Sequence, residues 1–390
     1  MTNPHKQCCQ CCDLNSAHDK NTQHATCTEP FRICHTNSAT AHTEYCHFKL
    51  SHCGIRIGVQ EDNNNMDTLQ LAILARGDQG YHETECSFGG EADLHRLLID
   101  CEKNPGHENF IPVNEFNLKH LPIGYKDPDI VNYIQAQADL TVRITSKFTS
   151  MNRPEGYSFY NFRGKNFLRV GSGFMQYVYR NERRSHKPCP CPECKNSPTP
   201  HLEWAKLKIR TATHVVFDDD EAVNTTVEFF YNDDKEKDKV KYVHGECVRF
   251  GAVHGDWCDI RCVSHDIELC DFLKETWGRW RWLETKVNQK YTSDQDHRLA
   301  ILVSHPHGCS KQVSIGVWRD RDIIEKTRDW ENCVYTYDTP TCPGSSGAPV
   351  WILGQMKWAG FFGRHPHSGR PLEGLNISAI GWDKRSQTMS

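Results

Sequence analysis

A serine held between glycines, Gly344-Ser345-Ser346-Gly347, stands between Cys342-Pro343 and Ala348-Pro349-Val350. Glycine at those two places permits backbone angles that a side chain would resist. The amides of Gly344 and Ser346 can then converge on one point, where an oxyanion would form. Such a turn presents the Ser346 hydroxyl as a nucleophile. A hydroxyl is a poor nucleophile until a histidine takes its proton and a buried carboxylate fixes that histidine's tautomer. The four residues alone also describe an ordinary loop, so the decision rests on partners elsewhere in the chain.

The chain has 22 histidines. His214 has a distinctive setting: in Thr211-Ala212-Thr213-His214-Val215-Val216-Phe217 it follows small residues and precedes an apolar β-branched run, where a strand ends. Upstream, Arg169-Val170-Gly171-Ser172-Gly173-Phe174 reads as a strand entering a Gly-Ser-Gly turn and leaving as another apolar strand. These motifs, in this order, resemble the chymotrypsin-fold serine endopeptidases. The Gly-Ser-Gly-Phe and His-Val-Val wording is most similar to the non-secreted and bacterial trypsin-like branch. That family runs His, Asp, Ser along the chain, so an aspartate is expected between His214 and Ser346. Asp266, in Ser264-His265-Asp266-Ile267-Glu268-Leu269, is similar to the family's Asp-Ile-x-Leu signature and is the expected partner; Asp259, before Ile260, is the second choice. Leu299 to Gly308 followed by Val313 to Gly316 looks like the strand, Pro-Gly turn and strand that open the family's second barrel, and Val350 to Gly354 with Trp358 to Gly363 like a hairpin bordering the substrate cleft. The resemblance covers roughly residues 130 to 385.

It implies an all-β fold of two six-stranded antiparallel barrels with a cleft between them. It also implies a triad of His214, Asp266 and Ser346, an oxyanion hole from the Gly344 and Ser346 amides, an acyl-enzyme intermediate, and a protein or peptide substrate hydrolysed without a catalytic cofactor. Departures from the secreted digestive pattern carry expectations of their own. Ser345 replaces the aspartate that pairs with a newly cut N-terminus, and no Ile-Val-Gly-Gly-like site precedes the first barrel, so activity should not require trypsin-style cleavage. Cys342 falls where secreted relatives have half a disulfide, but no cysteine follows Trp358 to pair with it, and a reduced thiol is expected. Pro340, near the base of the specificity pocket, brings no charge; Phe361 and Phe362, followed by Gly363, suggest an apolar or shape-based pocket. The competing reading is a catalytically inactive protease-like protein that binds peptides.

Composition narrows the setting. With 390 residues and a formal charge of −4, the chain has no broad basic field for nucleic acid. Its first residues lack an apolar core for a signal peptide, and no stretch approaches the roughly 18 apolar residues of a membrane span; a cytoplasmic protein is expected. In a reducing compartment its 20 cysteines argue for thiols, metal ligands or lipidation rather than disulfides. Cys189, Cys191 and Cys194, stiffened by prolines in an insertion spanning 186–201, suit a structural zinc with His201 or His186 as fourth ligand, although Cys247, Cys258 or Cys262 could complete such a site instead. Residues 1–125 read as a Cys/His-rich α+β module, with a strand at Ile55 to Val59, an amphipathic helix at Glu91 to Lys103, and a junction near Asn114 to Asp129. Asp218 to Glu221 reads as a solvated acidic loop, and Trp277, Trp280 and Trp282 as a hydrophobic cover over the barrel junction.

Overall fold

The computed structural model of the chain describes residues 67–180, 187–291, 296–355, 365–372 and 374–384. The strand expected at Ile55 to Val59, the cysteines and histidines of the first sixty residues, His186, and the pocket residues Phe361, Phe362 and Gly363 lie outside these.

After helix α1 (Thr68–Asp78) come β1 (Glu85–Ser87), α2 (Glu91–Ile99), β2 (Phe110–Pro112) and α3 (Pro128–Leu140). The first barrel is then built from β3 (Thr141–Phe148), β4 (Asn166–Arg180), β5 (Ala205–Thr211), β6 (Thr225–Phe229), β7 (Lys241–Ala252) and β8 (Trp257–Ser264). Two short helices interrupt it, α4 (Pro192–Lys195) before β5 and α5 (Asp219–Ala222) before β6. A long helix, α6 (Ile267–Lys290), leads to the second barrel: β9 (Leu299–Ser304), β10 (Gln312–Lys326), β11 (Trp330–Tyr337), β12 (Pro349–Ile352), β13 (His365–Leu372) and β14 (Leu375–Ser378), with β15 (Gly381–Lys384) at its edge. Neighbours in the first sheet run β4-β3-β6-β7-β8-β5, and β5 pairs back onto β4. In the second they run β11-β14-β13-β12-β9-β10, closed by β10 on β11. Closing each sheet on itself removes its free edges. The result is two closed six-stranded antiparallel barrels of the trypsin-like type, as the motif order implies.

Period-two alternation explains how one strand serves two cores. Every residue of β9 is buried. Leu299, Ile301 and Val303 join the large cluster that includes both helices α3 and α6, while Ala300 and Leu302 pack with Ala348, Val350 and Ile352 inside the second barrel. Helix α6 lies across this junction: buried Trp280 contacts Phe174 of β4 and Tyr133 of α3, and Tyr133 in turn packs on Trp351 of β12. Trp282, on the opposite face, is exposed.

Four expectations change here. Strands β1 and β2, from the region read as a separate module, pair with β4 and β10, so residues 85–112 contribute to both barrels. Helix α2 ends at Ile99, leaving Cys101 and Lys103 free of it. Gly171-Ser172-Gly173 is not a turn but the interior of the uninterrupted strand β4. Its glycines are explained by close approach: a Cβ on Gly171 would lie 2.8 Å from a Val215 methyl and 3.0 Å from the Ser346 carbonyl oxygen. Finally, the acidic run at 218–221 is not a solvated loop. Asp218 caps α5 by accepting from the Glu221 amide, and Glu221 is fully buried between Arg153 and Arg169.

Candidate active site

His214 follows the end of β5, where the chain turns back on itself with the Val215 amide donating to the Ala212 carbonyl. Its ring is buried between the barrels. The Nε2 atom lies 2.7 Å from Ser346 Oγ, and Nδ1 lies 2.9 Å from both carboxylate oxygens of Asp256. The His214 backbone N–H also donates to Asp256 Oδ1 at 3.2 Å. A proton on Nδ1 is therefore bound by the carboxylate, and Nε2 faces the serine as a base.

The carboxylate that meets the His214 ring is that of Asp256, while those of Asp266 and Asp259 are engaged elsewhere. Asp266 caps α6, accepting from the Leu269 amide at 2.9 Å and pairing with Lys241. The segment Ile267-Glu268-Leu269-Cys270 opens a helix instead of an alternating strand, because Leu269, Cys270 and Leu273 recur at helical spacing on a buried face. Asp259 lies within β8, bound to the Arg210 guanidinium at 2.8 Å and 2.9 Å and to Lys208 at 2.8 Å. Asp256 closes the β7–β8 hairpin with φ near +50° and immediately precedes β8. An acid at the head of a strand does meet His214, but the strand is β8, and its local cue is Gly255-Asp256 before Trp257-Cys258-Asp259-Ile260. Burial opposes ionisation of Asp256. His214, then His82, and hydrogen bonds from His214 and Ser368 outweigh it and bring the carboxyl down to about 2.

The nucleophile loop is fixed by backbone contacts from both barrels. Ser346 O accepts from the Ser172 amide at 2.7 Å, Gly344 O from Ser172 Oγ at 2.9 Å, and the Gly347 amide donates to His367 O at 2.8 Å. Gly344 (φ +96°) and Gly347 (φ +84°) take the left-handed conformations their residue type allows. Ser345 is buried, with Oγ 3.2 Å from Ser304 Oγ and accepting from the Cys342 amide at 3.2 Å. These contacts organise the loop without an aspartate and a cut N-terminus.

The two amides of the expected oxyanion hole meet on one oxygen. Gly344 N and Ser346 N lie 2.7 Å and 3.4 Å from the backbone carbonyl of Glu83, and the Glu83 amide donates to Ser346 Oγ at 3.1 Å. His82 stacks on His214, with ring centroids 4.0 Å apart and planes 3° from parallel. The Glu83 carboxylate is met by His367 Nε2 at 2.7 Å, Thr341 Oγ1 at 2.7 Å and Lys103 Nζ. The described groups around that carboxylate are polar; Phe361, Phe362 and Gly363, expected to line an apolar pocket, lie outside the described residues. Pro340, half-buried, is the neighbour of the contact residue Thr341. Sequence reasoning missed Glu83, Lys103, Thr341 and His367, which come together only by folding. A cavity of about 700 Å³ beside Arg143, Glu228 and Tyr231 contains none of the triad.

A second cluster surrounds α4. Cys189, Cys191, Cys194 and His265 bring four ligand atoms within 4.8 Å of one another, His265 Nδ1 lying 3.5 Å from Cys191 Sγ and 3.7 Å from Cys194 Sγ. His201, expected as the fourth member, stacks on His265 at a centroid distance of 4.1 Å and contributes its carbonyl to the Cys189 amide.

No protein-family model matches the chain, and no curated protein matches it. Solved structures similar to it include proteases. The Rv3671c protease in its inactive form is 15% identical over 65% of this chain and 90% of that one, with a TM-score of 0.33. Deg5 is 11% identical over 66% and 90%, with a TM-score of 0.33. The HtrA-type protease AlgW with tripeptide is 10% identical over 64% and 58%, with a TM-score of 0.32. Among the described residues no helix is long and apolar enough to cross a membrane.

Proposed function

We propose that the chain is a serine endopeptidase working through His214, Asp256 and Ser346. The observation that carries this reading is the line of hydrogen bonds from Asp256 through His214 to Ser346 Oγ, ending where the Gly344 and Ser346 amides converge. In the mechanism, His214 Nε2 takes the Ser346 proton as Oγ attacks a peptide carbonyl, and the two amides hold the developing oxyanion. Collapse expels the amine, protonated by His214, and leaves an acyl ester. Water, deprotonated by the same nitrogen, hydrolyses it. Asp256 holds the ring in the required tautomer and stabilises the imidazolium. Hydrolysis of a peptide library by wild type and Ser346→Ala tests this; loss of turnover by about 10,000-fold or more is expected, and cleavage that persists in Ser346→Ala would sink it.

The cysteine cluster supports a structural zinc on Cys189, Cys191, Cys194 and His265, in place of His201. Ligands about 2.3 Å (sulfur) and 2.0–2.1 Å (nitrogen) from a tetrahedral zinc stand roughly 3.5–3.8 Å apart, which the His265 distances match. Glu193, with Oε2 3.8 Å from His265 Nε2, can orient that ring.

A further inference from the structure

The Tyr81–Thr84 segment lies in the cleft, with the Glu83 carbonyl on the Gly344 and Ser346 amides. It runs antiparallel to β13, with His82 bridged to Gly369 and the Arg370 amide donating to Tyr81 O at 2.9 Å. Two residues on, the Glu83 carbonyl is held by the Gly344 and Ser346 amides, and the Glu83 amide donates to Ser346 Oγ. The Glu83 side chain fills the pocket beside it. His367 donates from Nε2, and its Nδ1 is held by Tyr337 Oη at 2.6 Å, so a neutral imidazole is fixed with its proton toward the carboxylate. Burial keeps that imidazole's pKa below its ordinary value. Burial also opposes the Glu83 charge, but Lys103 and His367 outweigh it and hold the carboxyl well below its usual range. Asn376 Oδ1 braces Thr341 Oγ1 at 3.0 Å and Lys103 Nζ at 3.3 Å.

Resting on the protease reading above, we propose that the enzyme cleaves after glutamate, and that its first substrate is its own Glu83–Thr84 bond. Ser346 Oγ adds to the Glu83 carbonyl carbon and gives its proton to His214; the C–N bond breaks and His214 protonates the Thr84 nitrogen, which becomes a new amino terminus. Water then hydrolyses the Glu83 ester, its proton passing through His214 back to Ser346. The leaving side stays part of the fold, since β1 begins at Glu85 and pairs with β4. The acyl side ends in a carboxylate and withdraws to open the pocket to other glutamyl peptides.

The full chain is expressed as wild type, Ser346→Ala, Glu83→Gln and Glu83→Gly, and read by intact mass and N-terminal sequencing. Wild type is expected to yield a chain beginning at Thr84, Ser346→Ala to remain joined, and Glu83→Gln to be cut at least about tenfold more slowly, because an uncharged amide loses the charge-assisted contacts. Glu83→Gly removes the side chain that anchors the segment, so that its backbone exchanges out of the cleft, and this chain is labelled at Ser346 by a fluorophosphonate. It should also cut quenched Tyr-His-Xaa-Thr peptides with Xaa Glu over Gln by about a hundredfold. Labelling without a cut at Glu83–Thr84, or equal cutting of Glu and Gln peptides, overturns the proposal and leaves the protease reading standing. Absence of both labelling and peptide cutting in folded Glu83→Gly sinks both.

A separate observation carries a metal site. Cys101, His107, His307 and Cys342 place four ligand atoms within 4.8 Å of one another, with Sγ to Sγ 3.6 Å and Cys342 Sγ to His107 Nε2 3.4 Å. Buried His307 bonds Glu85 through Nδ1 at 2.7 Å, which leaves its other ring nitrogen to face the Cys101 thiol. A carboxylate behind a histidine whose other nitrogen is turned toward thiols is the usual setting of a zinc ligand. We infer that these four residues bind a zinc that ties the nucleophile loop, through Cys342, to the segment after α2. Elemental analysis should find about one zinc per chain fewer than wild type in Cys191→Ser/Cys194→Ser, and about one fewer in Cys101→Ser/His107→Asn. Should the latter fail to fold, cobalt loading of Cys191→Ser/Cys194→Ser must give tetrahedral thiolate-bound spectra. A Cys101–Cys342 disulfide, or no metal left in Cys191→Ser/Cys194→Ser, overturns the inference.

Discussion

Asp256 is buried against His214, and with its carboxyl held down to about 2 it stays ionised across the range in which a protease works. Replacing it with asparagine keeps the shape but allows the wrong tautomer of His214. Asp256→Asn is therefore expected to lower kcat by about 10,000-fold, and Asp266→Asn, which alters only a helix cap and an exposed pair with Lys241, to leave kcat within about twofold. Steady-state hydrolysis of a glutamyl peptide by each variant checks both. His214 and Ser346 were legible because each sits in a motif of fixed local wording. Asp256 was not: its one local cue is a Gly-Asp pair in a hairpin, while Asp266 wears a strand signature in a segment whose apolar spacing is helical. His265 was missed for a related reason, being far from the cysteines in sequence and brought to them by the β5–β8 pairing.

Strand β4 is the element that turns sequence into a site. Its Gly171 and Gly173 let the nucleophile loop and β5 approach, and Ser172 between them holds that loop through both backbone and hydroxyl. Gly173→Ala would push a methyl to 2.5 Å from Ile144 and 3.0 Å from the Arg210 carbonyl. Overpacking of this kind costs about 1–3 kcal/mol, so thermal unfolding should show a lowered Tm, with kcat falling more than KM rises. Near the same barrel, burial opposes the Glu221 charge, but Arg169 and Arg153 hold its carboxyl down to about 2. Its contribution to stability is present above the unfolded carboxyl value, roughly 4.3, and is lost as pH falls through about 2. Unfolding followed from pH 7 to pH 2 should show this loss, and Glu221→Gln, already destabilised by unpaired buried arginines, should show a shallower one. The glycines were readable as a motif but their purpose was not, since a strand crossed closely by a loop and a turn both call for glycine.

Over the whole molecule, order along the chain was the most legible property: His214 and Ser346 in sequence, with strand pairs between, carry the resemblance that implies two barrels, and the sheets close as it implies. The share taken by the N-terminal region was not legible, because β1 and β2 are three residues each and carry no periodicity. Helix α6 and its partner α3 bridge the barrels through Trp280, Tyr133 and Trp351. Trp280→Ala should cost about 3–5 kcal/mol in denaturant unfolding and loosen both barrels together, because the junction holds Ser346 against His214. The chemistry at that junction is reached most directly by fluorophosphonate labelling of the folded Glu83→Gly chain, with the adduct located by mass spectrometry, alone and combined with Asp256→Asn or Asp266→Asn. An adduct on Ser346 that is lost with Asp256→Asn and kept with Asp266→Asn is expected; an adduct on another residue, none at all, or one that depends on Asp266 rules out catalysis by His214, Asp256 and Ser346.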